Sequence, residues 1–128
     1  MKHLTLLAAC WLFLGGVFGQ SYSFLSYSTS DGLPQSQVQC ISQDSNGYLW
    51  VGTLGGLAKF NGKKFINYSV NDGLLNNRIT AISMIGEKIW IGHEGGVSAI
   101  GQNGKARSWS FNGINKKSNV TDIVSFNG

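Results

Sequence analysis

Residues 24–64 read FLSYSTSDGLPQSQVQCISQDSNGYLWVGTLGGLAKFNGKK, and residues 65–106 read FINYSVNDGLLNNRITAISMIGEKIWIGHEGGVSAIGQNGKA. The two stretches repeat each other at a spacing of about 41 residues, and self-similarity at such a period is the mark of stacked structural units. Phe24 pairs with Phe65, Tyr27 with Tyr68, Asp31-Gly32-Leu33 with Asp72-Gly73-Leu74, Val38 with Ile79 and Ile41 with Ile82. After a one-residue deletion, Leu49-Trp50-Val51-Gly52 pairs with Ile89-Trp90-Ile91-Gly92, and Gly55-Gly56-Leu57 with Gly95-Gly96-Val97. A third copy begins near Trp109 and reaches Asn119-Val120 and Ile123.

Within each unit short strand-like runs alternate with glycine-rich turns, and no helical periodicity follows residue 19. The first unit predicts strands at 38–43, 48–53, 57–60 and 64–68, and the second at 79–84, 88–93, 97–100 and 106–109. Four short antiparallel strands at this period make an all-β chain of β-propeller blades, about 2.5 of them. Blade-like units fall at about 24–64 and 65–108, with a partial unit at 109–128, inside a repeat region of 20–128. One unit cannot bury its own apolar faces, so stability must come from stacking against neighbours. Propellers close with four to eight blades, so this chain reads as the opening of a longer protein.

The turns have mechanisms. Asp44-Ser45-Asn46-Gly47 offers an Asx-capable residue followed by a glycine free to take positive φ, which suits the first hairpin. Gly55-Gly56 and Gly95-Gly96 fall between the second and third strands. Asn61-Gly62 and Asn103-Gly104 predict type I′ turns in the last hairpins.

Residues 1–19 stand apart. Lys2 and His3 precede an apolar run from Leu4 to Phe18, and Val17-Phe18-Gly19 leads to a cleavage point before Gln20. This is the pattern of a secretory signal peptide, and its apolar run falls short of the roughly 20 residues a membrane span needs. Leu7-Ala8-Ala9-Cys10 imitates a lipoprotein cleavage motif, but the apolar core continues well past Cys10. Cleavage would leave Cys40 as the sole cysteine, with no internal disulfide to form, and its strand-like context reads as a small buried hydrophobe.

Ten Lys and Arg stand against six Asp and Glu, but the cations are scattered rather than clustered, which argues against a nucleic-acid surface. After cleavage His93 is the sole histidine, so no paired-His metal cluster can be assembled, and one cysteine excludes a structural zinc site. No GxSxG elbow occurs, and Gly52-Thr53-Leu54-Gly55-Gly56 lacks the helix and lysine of a phosphate loop. Neither a catalytic residue nor a cofactor-binding or metal-ligating residue is identified, and no cofactor is expected. Asp31 and Asp72 read as turn residues that hydrogen-bond backbone ahead of a glycine. Trp50 and Trp90 read as packing elements between blades in preference to a sugar-stacking platform. Asn67-Tyr68-Ser69 and Asn119-Val120-Thr121 match glycosylation sequons by chance.

The recurring set Asp31, Gly32, Leu33, Trp50, Gly52, Gly55 and Gly56, with Asp72, Gly73, Leu74, Trp90, Gly92, Gly95 and Gly96, resembles the two-component regulator propeller repeat. His93 departs from that pattern, standing where the first unit has Thr53 and the family usually has threonine. The resemblance implies the exported sensor region of a Bacteroidetes-type signalling protein, continuing into a membrane helix and an output module, often a histidine kinase. It implies a ligand-sensing propeller in a phosphorelay, on the periplasmic or surface side and tethered to the inner membrane by a later segment. The partners implied are an external ligand, with glycans the class to test first, and the remaining blades and output domains of the same chain. A homodimer is compatible with this reading. An exported interaction scaffold without signalling output is the rival, and a propeller lyase a remoter one.

Overall fold

The computed structural model describes residues 19–111 and 118–126. The expected signal peptide, residues 1–19 with Cys10, lies outside the described residues in all but Gly19. Eight strands form two four-stranded sheets: β1 (Val38–Gln43), β2 (Leu49–Thr53), β3 (Leu57–Phe60) and β4 (Phe65–Tyr68), then β5 (Ala81–Ile85), β6 (Lys88–His93), β7 (Gly96–Ile100) and β8 (Ala106–Ser110). Each sheet is an antiparallel meander in chain order, β1-β2-β3-β4 and β5-β6-β7-β8, which is the make-up of a propeller blade. Among the described residues no helix is long and apolar enough to cross a membrane.

The meanders follow from the turns. Asp44 Oδ1 accepts from the amides of Asn46 and Tyr48, while Gly47 takes φ 84° and returns its amide to the Asp44 carbonyl, closing the β1–β2 hairpin. The two Asn-Gly hairpins differ from the type I′ expectation. A type I′ turn needs positive φ at both central residues, yet among the described residues positive φ occurs at glycines alone, so Asn61 and Asn103 stay in the ordinary region. Their side chains act instead: Asn61 Oδ1 accepts from the amides of Lys63 and Lys64, and Asn103 Oδ1 from that of Lys105. Two short 3-10 turns, Thr29–Asp31 and Val70–Asp72, also interrupt what reads as a helix-free chain.

Sheets and sequence repeats are out of phase. The repeat that begins at Phe65 opens with the last strand of the first sheet, so the physical blades span 38–68 and 81–110 rather than the repeat units themselves. Ile79 and Thr80, expected inside β5, precede it. Ile79 turns its amide away from its own sheet and donates to Thr53 O of the first, at 3.0 Å.

The sheets pack face to face along their inner strands. Trp50 and Leu57 of the first sheet meet Ile89, Ile91 and Ile100 of the second, with Leu74 and Ile79 from the segment leading into β5, in one apolar cluster. The other face of the first sheet holds a smaller cluster of Leu33, Val51, Ala58 and Phe65. Cys40 is half-buried at the larger cluster, and burial pushes its thiol up to about 11, the Gly52 backbone offsetting only part of this. At pH 8 the native protein should therefore alkylate slowly at Cys40 and react fully only once denatured, a contrast that timed iodoacetamide labelling would read out.

Candidate functional site

The recurring Asp-Gly-Leu works as a latch. Ser28 and Ser69 enter it in extended conformation, with φ −135° and −138°. The Asp31 and Asp72 carboxylates then accept from the amide and hydroxyl of that serine at 2.7–3.0 Å, a reciprocal cap closed within four residues. Gly32 and Gly73 take φ 103° and 100°, a left-handed turn that a side chain would strain, and deliver Leu33 and Leu74 into the core. The glycine carbonyl faces the outer strand of its own blade. Asn67 Nδ2 donates to Gly32 O at 2.8 Å, and Ser108 Oγ donates to Gly73 O.

Gly52 and Gly92 are sockets for the following unit. A Cβ on Gly52 would lie 2.6 Å from both Cys40 Sγ and Ile79 Cγ2, and one on Gly92 would lie 2.9 Å from the Val120 side chain. Ile79 and Val120 occupy the same position one repeat apart, and each donates its amide to the last residue of the preceding blade's second strand, Thr53 O or His93 O. Gly56 and Gly96 sit against the outer-strand carbonyls of Tyr68 and Trp109, where no Cβ fits. Gly55 and Gly95 occupy the turn between them and the second strand, with positive φ at Gly95 but not at Gly55.

Trp50 is only 2% exposed, so its ring offers no stacking surface. Its Nε1 donates to Asp44 Oδ2 at 2.9 Å. Burial pushes the Asp44 carboxyl up, but the bonds from Trp50 and the Tyr48 and Asn46 amides, with the nearby Lys59 charge, outweigh it and hold the group below the usual carboxylate value. Trp90 is half-buried and stacks on Trp109 at 5.6 Å. Between the sheets, at the hairpin end, a polar cleft of about 380 Å³ is bordered by Asp44, Lys59, Tyr68, Glu87 and Gln102.

The sequence reading missed the densest polar feature. His93 and Ser98 are fully buried, and His93 Nε2 lies 2.8 Å from Ser98 Oγ. Ser98 Oγ is 2.8 Å from Ser108 Oγ and accepts the Leu75 amide at 3.0 Å, while His93 Nδ1 faces Arg78 O at 3.3 Å. Four gaps thus run from Arg78 O to Gly73 O, while a neutral imidazole and two hydroxyls supply three hydrogens. Ser108 spends its hydrogen on Gly73 O, and the direction of the His93–Ser98 and Ser98–Ser108 contacts follows the tautomer of His93. A Ser–His contact of this length also occurs in hydrolases, but here both groups are sealed from solvent, and among the described residues no cluster of three His, Cys, Asp or Glu could hold a metal. These side chains form a structural network that is buried at His93 and Ser98 and ends at the exposed Ser108. In the first blade the corresponding positions are Thr53, Ala58 and Asn67, and Thr53 is satisfied within its own turn, donating to Gly56 O and accepting the Gly55 amide.

Burial holds His93 below its ordinary value, the Arg78 and Asn76 carbonyls opposing only in part. The unfolded chain therefore binds the proton more readily than the folded one. The stability contributed by neutral His93 is present above about pH 6.5 and is lost as pH falls through the lower folded value. Urea midpoints taken from pH 8 down to pH 5 should fall in the wild type. The triple change His93→Thr, Ser98→Ala and Ser108→Asn, which copies the first blade, should flatten that decline.

Residues 32–55 match the family model described as Two component regulator propeller. Among curated proteins, the chain is 49% identical over 51 residues to Histidine kinase P4 of Formosa agariphila, a match covering 40% of this chain and 4% of that protein. The matched segment is thus a small part of that relative's length.

Proposed function

We propose that this chain, which carries the two component regulator propeller repeat, is the opening part of an extracytoplasmic, ligand-sensing propeller in a two-component signalling protein, itself without catalytic chemistry. The observation that carries the reading is the 49% identity to a histidine kinase over 51 residues, beside the repeat match at residues 32–55. The sequence adds support through its export-like leader at residues 1–19, and the structure adds the use of its recurring residues as latches and sockets. Among the described residues, the His93–Ser98 pair is fully buried, away from any substrate.

In this reading the chain continues into further blades, a membrane segment and a kinase-type output. A ligand held on the propeller shifts a two-state arrangement across the membrane by no more than its difference in affinity for the two states. The cleft between the blades places a carboxylate, an ammonium and an amide around one polar space, which suits the hydroxyl-rich surface of a glycan. The test is autophosphorylation of the full-length protein in membrane vesicles, with and without a panel of glycans. Labelling that a glycan changes at least several-fold supports the reading. Absence of any autophosphorylation would remove the kinase output, and glycan-independent labelling would remove the ligand class. A gene product lacking a later apolar span would favour the scaffold role instead.

A further inference from the structure

Two clefts flank the hairpin end of the second blade, and they differ in charge. The cleft on the side of the first blade sets two carboxylates, Asp44 and Glu87, against one ammonium, Lys59. A further cleft, of about 400 Å³, is bordered by Lys88, Lys105, Arg107, Gln102, Asn103 and Trp109, and no carboxylate borders it among the described residues. Ile89 and Ile100 border the first and their neighbours Lys88 and Ala99 the second, so the two lie on opposite faces of the sheet. They share Gly101 and Gln102 of the β7–β8 hairpin.

Register gathers these cations from a sequence in which they look scattered. Trp90 lies opposite Ala99, and Ala99 opposite Arg107. One repeat earlier Trp50 lies opposite Lys59, and Lys59 opposite Ile66. In the first blade Lys59 holds its ammonium over the rings of Tyr48 and Trp50, 4.0 and 5.1 Å from their centroids. The second blade has Ala99 in place of that lysine, Arg107 in place of Ile66 and Lys88 in place of Tyr48. Positive charge has thus moved from the ring face to exposed positions around it. Trp109, 46% exposed, stacks on Trp90 beside them at 5.6 Å. An indole plane offers apolar surface to the flat face of a sugar ring, and a guanidinium beside it grips a carboxylate or sulfate through two parallel bonds.

Docking of the following unit leaves this end free. Val120 donates its amide to His93 O, at the other end of β6 from Lys88. Ile79 docks on Thr53 O in the same way, and the cleft between the first two blades is open at its hairpin end all the same. We infer that the cationic cleft of the second blade binds the carboxylate or sulfate group of an acidic saccharide. The inference rests on the proposed glycan-sensing role and narrows its ligand from glycans in general to anionic ones.

Calorimetry on the full-length protein tests this, with a uronate-containing disaccharide, a sulfated disaccharide, a neutral disaccharide and inorganic sulfate as probes. An acidic disaccharide should bind at least about ten-fold more tightly than the neutral one and than sulfate alone, and added salt should weaken it. Lys88→Gln combined with Arg107→Gln should cost about ten-fold or more in affinity with the urea midpoint unchanged, both residues being exposed. Lys63→Gln, which borders neither cleft, should leave binding as it is. Failure of both acidic disaccharides to bind, equal binding of the neutral one, or full affinity in the double variant overturns the proposal. Sulfate bound as tightly as the saccharides overturns the sugar and leaves a bare anion site. Autophosphorylation that answers to neutral glycans alone would overturn this site and leave the sensor reading standing. Acidic-saccharide binding that the double variant loses, in a protein without autophosphorylation, would do the reverse.

Discussion

Replacing Trp50 with alanine is expected to lower the unfolding free energy of the full-length protein by about 3–5 kcal/mol. The indole is 2% exposed in the cluster that joins the two sheets, and it leans on Tyr68 with ring centroids 5.6 Å apart. Its loss opens a cavity between two blades, neither of which can close it alone. It also strips Asp44 of a hydrogen bond at 2.9 Å in the hairpin that sets the β1–β2 register. Trp50→Phe separates the two effects, since most apolar contacts remain and the Asp44 bond does not, and a loss of about 1–3 kcal/mol is expected. Trp90→Ala should cost less than Trp50→Ala, because its stacking partner Trp109 is 46% exposed. Urea denaturation gives the comparison through the midpoint at constant slope. A Trp50→Ala protein with an unshifted midpoint would remove Trp50 from the core and reopen the ring to a ligand-stacking role.

What could be read in advance follows from where the physics is local. Strands β1, β3 and β6 coincide end to end with the runs expected from alternation and flanking turn residues. The Asp44 hairpin was legible because an Asx residue and a glycine three positions later set their own geometry. The 3-10 turns were not, since three residues carry no periodicity, although Ser28 and Asp31 hold the spacing of a reciprocal cap. Ile79 reads as strand from its β-branched side chain, but its amide is claimed by Thr53 O of the neighbouring sheet. The His93 network was hidden for a different reason. The departure from threonine is visible in the sequence, yet Ser98 and Ser108 join His93 only because β6, β7 and β8 place the three side chains on one face in register. The substitutions at all three positions between the units gain meaning only once the sheet is formed.

The glycine after Trp-Val is legible as a repeated residue, but its purpose lies one repeat away, and that purpose gives the second large expected effect. Gly52→Ala should destabilise the full-length protein by about 1–3 kcal/mol, since overfilling a packed core forces side chains and backbone to shift. A methyl at this position would lie 2.6 Å from Cys40 Sγ on its own sheet and from Ile79 Cγ2 of the following repeat. Ile79→Ala, at a position with no exposed surface, should cost about 2–5 kcal/mol by leaving the socket empty. The double variant is the deciding measurement. With Ile79 truncated, the new methyl occupies part of the vacated space and half of its clash is gone, so the double variant should be more stable than the sum of the single losses by about 1 kcal/mol or more. Gly92→Ala should follow the same rule more weakly, because its methyl would meet Val120 at 2.9 Å. Strict additivity of Gly52→Ala and Ile79→Ala would mean that the glycine serves its own strand alone, and the socket that couples one blade to the next would have to be sought elsewhere along the interface.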